Sequence, residues 1–163
     1  MNTLIQCLTY FRIIAGPIIF LLILIPQYYG SALLILLAAS SSDYLDGYLA
    51  RQFSLTSMLG AILDPIADKI LITFTVIALS LDMGNTYIAF LGSMMLAREY
   101  WVSALRDFNA QKGNAAATNV TFLAKIKTFT QLATFCLYLF GLYLESVFIV
   151  FLANFFLFLA LII

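Results

Sequence analysis

Residues 43–51 read DYLDGYLAR, and residues 64–68 read DPIAD. These two segments hold half of the chain's acidic residues, although 64% of its 163 residues are hydrophobic and only 10% are charged. On a helix, Asp43 and Asp46 are three residues apart and Asp64 and Asp68 are four apart, so each pair projects from one face. The short link RQFSLTS makes the two helices antiparallel neighbours. The pattern therefore predicts that the four carboxylates converge at one end of a helical hairpin.

Apolar stretches dominate the rest of the chain. The mean hydropathy is +1.04, far outside the range that is usual for a soluble domain. Most of the stretches reach the ~20 residues that a helix needs to cross a bilayer. The sequence predicts an all-α fold, an integral membrane bundle of six transmembrane helices, in a single domain over residues 1–163. The stretches lie at 4–25, 31–50, 57–81, 86–105, 120–142 and 147–163.

Basic residues are concentrated near one end of these predicted helices, with none in the segments PQYYGS, LDMGN and YLES. The positive-inside rule predicts that the N-terminus, the second and fourth connections and the C-terminus face the cytoplasm. The sequence thus predicts a protein of the bacterial cytoplasmic membrane whose aspartate cluster faces the cytoplasm. The basic residues that decide this are Arg12, Arg51, Arg106 and Lys112.

The residue types restrict the chemistry. The chain has no histidine, which excludes histidine-dependent triads and histidine metal sites. Cys7 and Cys136 lie in separate apolar stretches, so neither a disulfide nor a zinc site is expected. Four converging carboxylates repel one another, and Arg51 and Lys69 are too few to neutralise them. Hard oxygen ligands at this density suit Mg²⁺, Mn²⁺ or Ca²⁺.

Small residues adjoin both aspartate pairs. Gly47 and Ala50 flank Asp46, and Gly60 lies one turn before Asp64. Small side chains let a bulky ligand or another backbone approach the carboxylates closely. Packing between helices is the alternative explanation for the small residues, and an ion pair is the alternative for a single aspartate. Two acidic pairs with glycine beside each favour a functional site.

The spacing of these residues resembles a known signature. The pattern DxxDGxxAR, eight residues, GxxxDxxxD matches that of the CDP-alcohol phosphotransferases at every position, from Asp43 to Asp68. The resemblance implies a six-helix integral membrane enzyme, usually a homodimer, that transfers a phosphatidyl or similar group from a CDP-linked donor to an alcohol and releases CMP.

The same resemblance implies roles for individual residues. The aspartates would hold two divalent cations, Mg²⁺ or Mn²⁺, against the diphosphate of the donor, and Asp68 would also act as general base toward the acceptor hydroxyl. Contacts with the CDP moiety would come from the small and basic residues of the signature. The metal ligands are Asp43, Asp46, Asp64 and Asp68, and the CDP contacts are Gly47, Arg51 and Gly60.

A second group of charged residues lies in REYWVSALRDF at 98–108 and in KIKTFTQ at 125–131. Arg98 and Arg106 are about two helical turns apart and therefore lie near one face. Together with Lys125 they could form a cationic pocket for an anionic acceptor such as a polyol phosphate. The alternative is that these residues, Lys112 and Lys127 above all, are ordinary basic anchors at helix ends.

These two segments and the opening N-x(5)-LTYFRIIAGPI resemble one branch of the family, the phosphatidylglycerophosphate synthases. The branch implies CDP-diacylglycerol as donor and sn-glycerol 3-phosphate as acceptor. It also implies that Arg98, Arg106 and Lys125 hold the acceptor phosphate, with Thr9 and Arg12 lining the same cavity. Membrane lipid and a second copy of the chain are the expected partners, and no nucleic acid is expected.

Two other functions are compatible with the aspartate cluster. A sister transferase acting on inositol phosphate, serine or another alcohol would carry the same signature. A cation-transporting helical bundle would need polar residues along the depth of several helices, whereas here they are concentrated toward one end. The sequence favours the enzyme.

Overall fold

Six α-helices make up most of the described chain. The computed structural model describes residues 2–52, 58–112 and 122–163, with side chains in the ranges 7–42, 45, 63–112 and 126–163. Over the described ranges, the predicted all-α class and the number of helices agree with the structure. The helices are α1 (Asn2–Ile23), α2 (Tyr29–Gln52), α3 (Met58–Asp82), α4 (Thr86–Gln111), α5 (Phe122–Tyr143) and α6 (Val147–Ile162), and a 3₁₀ turn at Pro26–Tyr28 joins the first two.

The expectation of an integral membrane bundle of transmembrane helices is wrong. Among the described residues, no helix combines the length and the apolar character needed to cross a bilayer. Helix α6 has 16 residues, fewer than the ~20 that span the hydrocarbon core. Charged side chains interrupt longer helices such as α3, which contains Asp64, Asp68, Lys69 and Asp82. High overall hydropathy averages over these interruptions and therefore concealed them.

Helix α4 extends beyond its apolar stretch. Hydropathy places the end near residue 105, but the helix continues to Gln111, and the backbone N–H of Lys112 donates to the carbonyl of Phe108 at 3.2 Å. Helical hydrogen bonding depends on the backbone and not on apolar side chains, so a polar segment can prolong the helix. The extension places Arg106 on a helix.

Short turns and small buried residues bring the helices together. Gly84 adopts a φ of +56° in the turn between α3 and α4, and Asn85 then caps α4 by accepting from the N–H of Tyr87 at 2.9 Å. Helix α1 packs against α2 and α3, α5 against α2 and α6, and α4 against α3 and α6. Small side chains at these contacts allow close approach of the helix axes. Fully buried alanines include Ala15, Ala32, Ala39, Ala67, Ala78, Ala153 and Ala160.

Large apolar side chains cover much of the outer surface. Val147, Phe148 and Phe151 on α6, Phe129 on α5 and Trp101 on α4 are all mostly exposed. Exposed apolar side chains of this size favour contact with another molecule. The homodimer, the contact with membrane lipid and the cytoplasmic-membrane location remain predictions.

A polar contact fastens α2 to the far end of α3. The hydroxyl of Tyr29 donates to the carboxylate of Asp82, with oxygen distances of 2.9 and 3.0 Å. Burial, followed by the hydrogen bond and the negative charge of Asp82, raises the pKa of Tyr29 to about 12. The phenol therefore stays protonated at neutral pH and keeps this contact.

The contact between α3 and α4 leaves no room at Gly92. A Cβ atom there would lie 2.5 Å from Cγ1 of Val76. Overpacking costs about 1–3 kcal/mol, while alanine gains about 0.5–1 kcal/mol over glycine in a helix. We expect Gly92→Ala to lower the free energy of unfolding by about 1–2 kcal/mol, measured by chemical denaturation.

The control for this prediction is Gly92→Ala in a Val76→Ala background. Removing the Val76 methyl groups abolishes the clash, so the same change should become neutral or stabilising there. An equal loss in both backgrounds would show that the close contact at Val76 is not the cause.

Candidate active site

A buried arginine on α1 links the two carboxylates on α3. Nη1 of Arg12 donates to Oδ1 of Asp68 at 2.6 Å, and Nη2 donates to Oδ1 of Asp64 at 3.2 Å. The hydroxyl of Thr9, one turn earlier on α1, donates to the same Asp64 oxygen at 2.8 Å. Because Asp64 and Asp68 are four residues apart, one planar guanidinium can contact both. The contact fixes the register of α1 against α3.

The arginine and the carboxylates differ in their exposure to solvent. The side chain of Arg12 is 0% exposed, whereas those of Asp64 and Asp68 are 37% and 46% exposed. The guanidinium therefore lies behind the carboxylates, and the carboxylates face open space. This arrangement holds two negative groups at a cavity wall and leaves part of each carboxylate accessible.

The open space is a cavity of about 540 Å³ between α3, α4 and α5, called the outer cavity here. Its size is that of a typical small-molecule site. Both acidic and basic side chains line it, which suits a ligand with separate anionic and metal-binding groups. The polar lining residues are Asp64, Asp68 and Lys69 from α3, Glu99, Ser103 and Arg106 from α4, and Lys127 and Thr128 from α5.

Two of the cations at the outer cavity have no carboxylate partner among the described residues, namely Lys69 and Arg106. Nζ of Lys69 donates to the neutral hydroxyl of Ser103 at 2.6 Å. Lys127, by contrast, forms an ion pair with Glu99. The uncompensated charges of Lys69 and Arg106 favour an anionic group such as a phosphate in this cavity.

A smaller space of about 170 Å³ adjoins the outer cavity and is called the inner chamber. It shares Asp68, Ile72, Glu99 and Thr128 with the outer cavity, and α2, α3 and α5 supply the remaining wall. Gln131 is 2% exposed, and its Nε2 has no hydrogen-bond partner among the described residues. Leaving a buried donor unsatisfied costs about 1–3 kcal/mol.

The described carboxylates fit part of a cation site. Oδ2 of Asp64 accepts no hydrogen bond from the described residues, because Thr9 and Arg12 both contact Oδ1. Carboxylate oxygens that face a cavity are suitable ligands for Mg²⁺ or Mn²⁺. Asp64 and Asp68 alone do not complete a coordination sphere, and no group of three or more acidic or sulfur ligands occurs within the described ranges.

The structure separates the predicted acceptor residues. Arg106 lines the outer cavity. Thr9 and Arg12 contact the carboxylates from behind, and do not line that cavity. Arg98 is absent from the described lining: its Nη1 donates to the carbonyl of Leu161 at 2.8 Å, near the C-terminus of α6. A cation is favourable at that end of a helix because of the helix dipole.

The remaining predicted residues lie on described helices, but their side chains are outside the described part of the chain. No statement about their contacts follows, and their roles stay predictions. They are Asp43, Asp46, Gly47, Arg51, Gly60 and Lys125.

Sequence reasoning gave too little weight to three residues of the site. The sequence pattern predicts Lys127 mainly as a basic anchor and indicates no role at the site for Glu99 or Gln131. In the structure Glu99 pairs with Lys127 across two helices. A signal was available, since Lys127 and Gln131 are four residues apart and share one face of α5.

Comparison with known proteins gives a consistent result. A model of the CDP-alcohol phosphatidyltransferase family matches residues 2–163. Proteins named CDP-diacylglycerol–glycerol-3-phosphate 3-phosphatidyltransferase from Escherichia coli K12, Shigella flexneri serotype 5b and Shigella sonnei are each 30% identical over 127 residues. Each alignment covers 77% of this chain and 70% of the relative.

The link between Arg12 and Asp68 predicts energetic coupling. We expect Arg12→Met and Asp68→Asn each to lower the free energy of unfolding. The double variant should lose less free energy of unfolding than the sum of the two single losses. The coupling should be about 0.5–2 kcal/mol, because the contact is short but Asp68 is partly solvated. Chemical denaturation of all four proteins measures it.

The matched control pairs Arg12→Met with Asp82→Asn. Asp82 lies about 20 Å farther along α3, by the rise of 1.5 Å per residue, and contacts Tyr29 instead. These two changes should be additive. Additivity of Arg12→Met with Asp68→Asn as well would contradict the assigned ion pair.

Proposed function

Since this chain belongs to the CDP-alcohol phosphatidyltransferase family, we propose that it transfers the phosphatidyl group from CDP-diacylglycerol to sn-glycerol 3-phosphate. The products are phosphatidylglycerophosphate and CMP. Relatives that are 30% identical carry the name of this reaction, and this supports the choice of donor and acceptor. The proposal is more specific than the family, whose members use several alcohols.

The observation that carries the proposal is the composition of the outer cavity. Two accessible carboxylates, Asp64 and Asp68, and two uncompensated cations, Lys69 and Arg106, line one space. A diphosphate donor needs metal ligands, and a phosphorylated acceptor needs cations. The outer cavity offers both within a single volume of about 540 Å³.

Asp68 is the proposed general base. It lies at the junction of the outer cavity and the inner chamber, where an acceptor hydroxyl can reach it. Its contact with Arg12 orients the carboxylate. Asp68 therefore contributes mainly by receiving the hydroxyl proton at a fixed position as the oxygen attacks phosphorus.

Members of this family generally depend on a metal. Asp64 and Asp68, with the predicted ligands Asp43 and Asp46, would hold two divalent cations, Mg²⁺ or Mn²⁺. Bound there, such cations would neutralise negative charge on the diphosphate and on the departing CMP. Arg12 would keep the α3 carboxylates in place in the absence of substrate, and Arg51, Gly47 and Gly60 remain the proposed contacts with the CDP moiety.

The central experiment is a CMP-release assay on the purified chain. With CDP-diacylglycerol and glycerol 3-phosphate, release should require Mg²⁺ or Mn²⁺ and stop in excess chelator. Asp43→Asn, Asp46→Asn and Asp64→Asn should each abolish turnover, because each removes a ligand charge. Asp68→Asn should abolish turnover while CDP-diacylglycerol still binds.

Two results would contradict the proposal. Full activity in chelator would exclude the metal site. Equal or faster CMP release with inositol phosphate or serine in place of glycerol 3-phosphate would assign the chain to a sister transferase.

The cations of the outer cavity predict a separate effect on the acceptor. Arg106→Ala should raise the KM for glycerol 3-phosphate about ten- to a hundredfold and leave donor binding unchanged. A charge-assisted hydrogen bond is worth about 1.5–3 kcal/mol, and the acceptor phosphate does not react. Lys112→Ala, which changes an exposed lysine at the end of the same helix outside the described lining, is the control and should leave KM unchanged.

The same assay tests the predicted contact between Arg98 and the acceptor. If Arg98 contacts the acceptor phosphate directly, Arg98→Ala should raise the KM for glycerol 3-phosphate as much as Arg106→Ala does. If Arg98 instead joins α4 to α6 through the carbonyl of Leu161, Arg98→Ala should lower the stability of the fold and leave the KM unchanged. A loss of donor binding in Arg106→Ala would refute the proposed division between donor and acceptor sites.

A further inference from the structure

The inner chamber is lined by both apolar and polar side chains, and of these only Asp68 has a role in the proposed reaction. Leu36, Ala39, Leu71 and Phe135 give it an apolar wall. Its polar lining residues are Ser40, Asp68, Glu99, Thr128 and Gln131, and the hydroxyl of Ser40 donates to the carbonyl of Leu36. At about 170 Å³ the chamber is large enough for a small polar fragment, and it shares Asp68 with the outer cavity.

Gln131 lines this chamber and carries an unsatisfied donor. Its side chain is almost wholly buried, and Nε2 has no acceptor among the described residues. Neighbouring polar groups on α5 are satisfied within the helix: the hydroxyls of Thr130 and Thr134 donate to the carbonyls of Ile126 and Thr130. Gln131 is thus the exception among the described side chains of α5, and an acceptor oxygen of a ligand would satisfy its Nε2.

The charges beside Gln131 restrict the kind of oxygen. Asp68 and Glu99 line the same chamber, so a second anion such as a phosphate is disfavoured there. An ester carbonyl could accept from Nε2 but has no hydrogen to give. A hydroxyl can accept from Gln131 and donate to a carboxylate at once, so it satisfies both neighbours.

We propose that Gln131 is a specificity-determining residue that donates a hydrogen bond to the non-reacting hydroxyl of a polyol phosphate acceptor. This inference rests on the proposed function. The acceptor phosphate lies with Lys69 and Arg106 in the outer cavity, and the reacting hydroxyl meets Asp68 at the junction. The hydroxyl on the adjacent carbon then enters the inner chamber toward Gln131.

The test compares two acceptors, glycerol 3-phosphate and 3-hydroxypropyl phosphate, which lacks only the middle hydroxyl. The wild-type chain should have a higher kcat/KM for glycerol 3-phosphate, because 3-hydroxypropyl phosphate has no middle hydroxyl and leaves Gln131 unsatisfied. Gln131→Leu should lower kcat/KM for glycerol 3-phosphate about three- to tenfold and leave that for 3-hydroxypropyl phosphate within about twofold. The preference should therefore shrink by the same factor.

Two controls separate recognition from structure. Thr134→Val, a polar-to-apolar change at another buried position of α5, should leave the preference between acceptors unchanged. Thermal unfolding of Gln131→Leu should show no loss of stability, since the leucine removes an unsatisfied donor. A lower melting temperature together with an equal loss of activity on both acceptors would overturn the proposal.

The outcomes also distinguish this inference from the proposed function. If the wild-type chain releases CMP with glycerol 3-phosphate but Gln131→Leu keeps the full preference, only the role of Gln131 fails. If the wild-type chain releases no CMP with either acceptor, the proposed function fails and the role of Gln131 fails with it.

Discussion

The buried guanidinium of Arg12 is the constraint on which the site depends. A fully buried positive charge is tolerated only when it is paired and hydrogen-bonded, and here Asp64 and Asp68 provide the partners. The pairing cannot be satisfied unless α1 and α3 meet in one register. Packing of apolar side chains alone tolerates small shifts between helices, whereas a planar donor with two acceptors does not.

The same constraint explains why the carboxylates remain usable. Two carboxylates with no positive neighbour would repel each other. Two carboxylates fully buried in a salt bridge would be inaccessible to a ligand. Arg12 contacts one oxygen of each aspartate from behind, so the pair is stabilised while part of each group faces the outer cavity. Ala67, which lies between the two aspartates in sequence, is fully buried, and its small side chain suits close packing of α3 at this point.

Local periodicity made part of this arrangement predictable. The four-residue spacing of Asp64 and Asp68 places them on one face of a helix whatever the rest of the fold does, and the apolar stretches located all the helices of the described chain. Hydropathy located the helices but gave two wrong predictions about them. It placed the end of α4 too early, and it predicted transmembrane helices that the described chain does not contain.

Contacts between helices were less predictable, because they depend on the rotation of each helix about its axis. Arg98 and Arg106 share a face in projection, yet Arg98 reaches Leu161 on α6 and Arg106 lines the outer cavity. A difference of eight residues is about 80° around a helix of 3.6 residues per turn, which is enough to direct two side chains to different neighbours. The pairing of Glu99 with Lys127 likewise required the position of α5 beside α4.

A buried donor without an acceptor carries a cost in stability that a substrate can offset, and cations without a carboxylate partner favour an anionic ligand. Lys69 and Arg106 lack carboxylate partners in the described chain, and Nε2 of Gln131 lacks an acceptor. Selection for stability alone would have removed such groups, since apolar replacements are usually neutral or favourable. Lys69, Arg106 and Gln131 line two adjoining spaces, and this favours ligand binding there. The charged groups surround the larger space and the neutral amide the smaller, so the site is suited to an acceptor with an anionic end and a neutral, hydroxylated end.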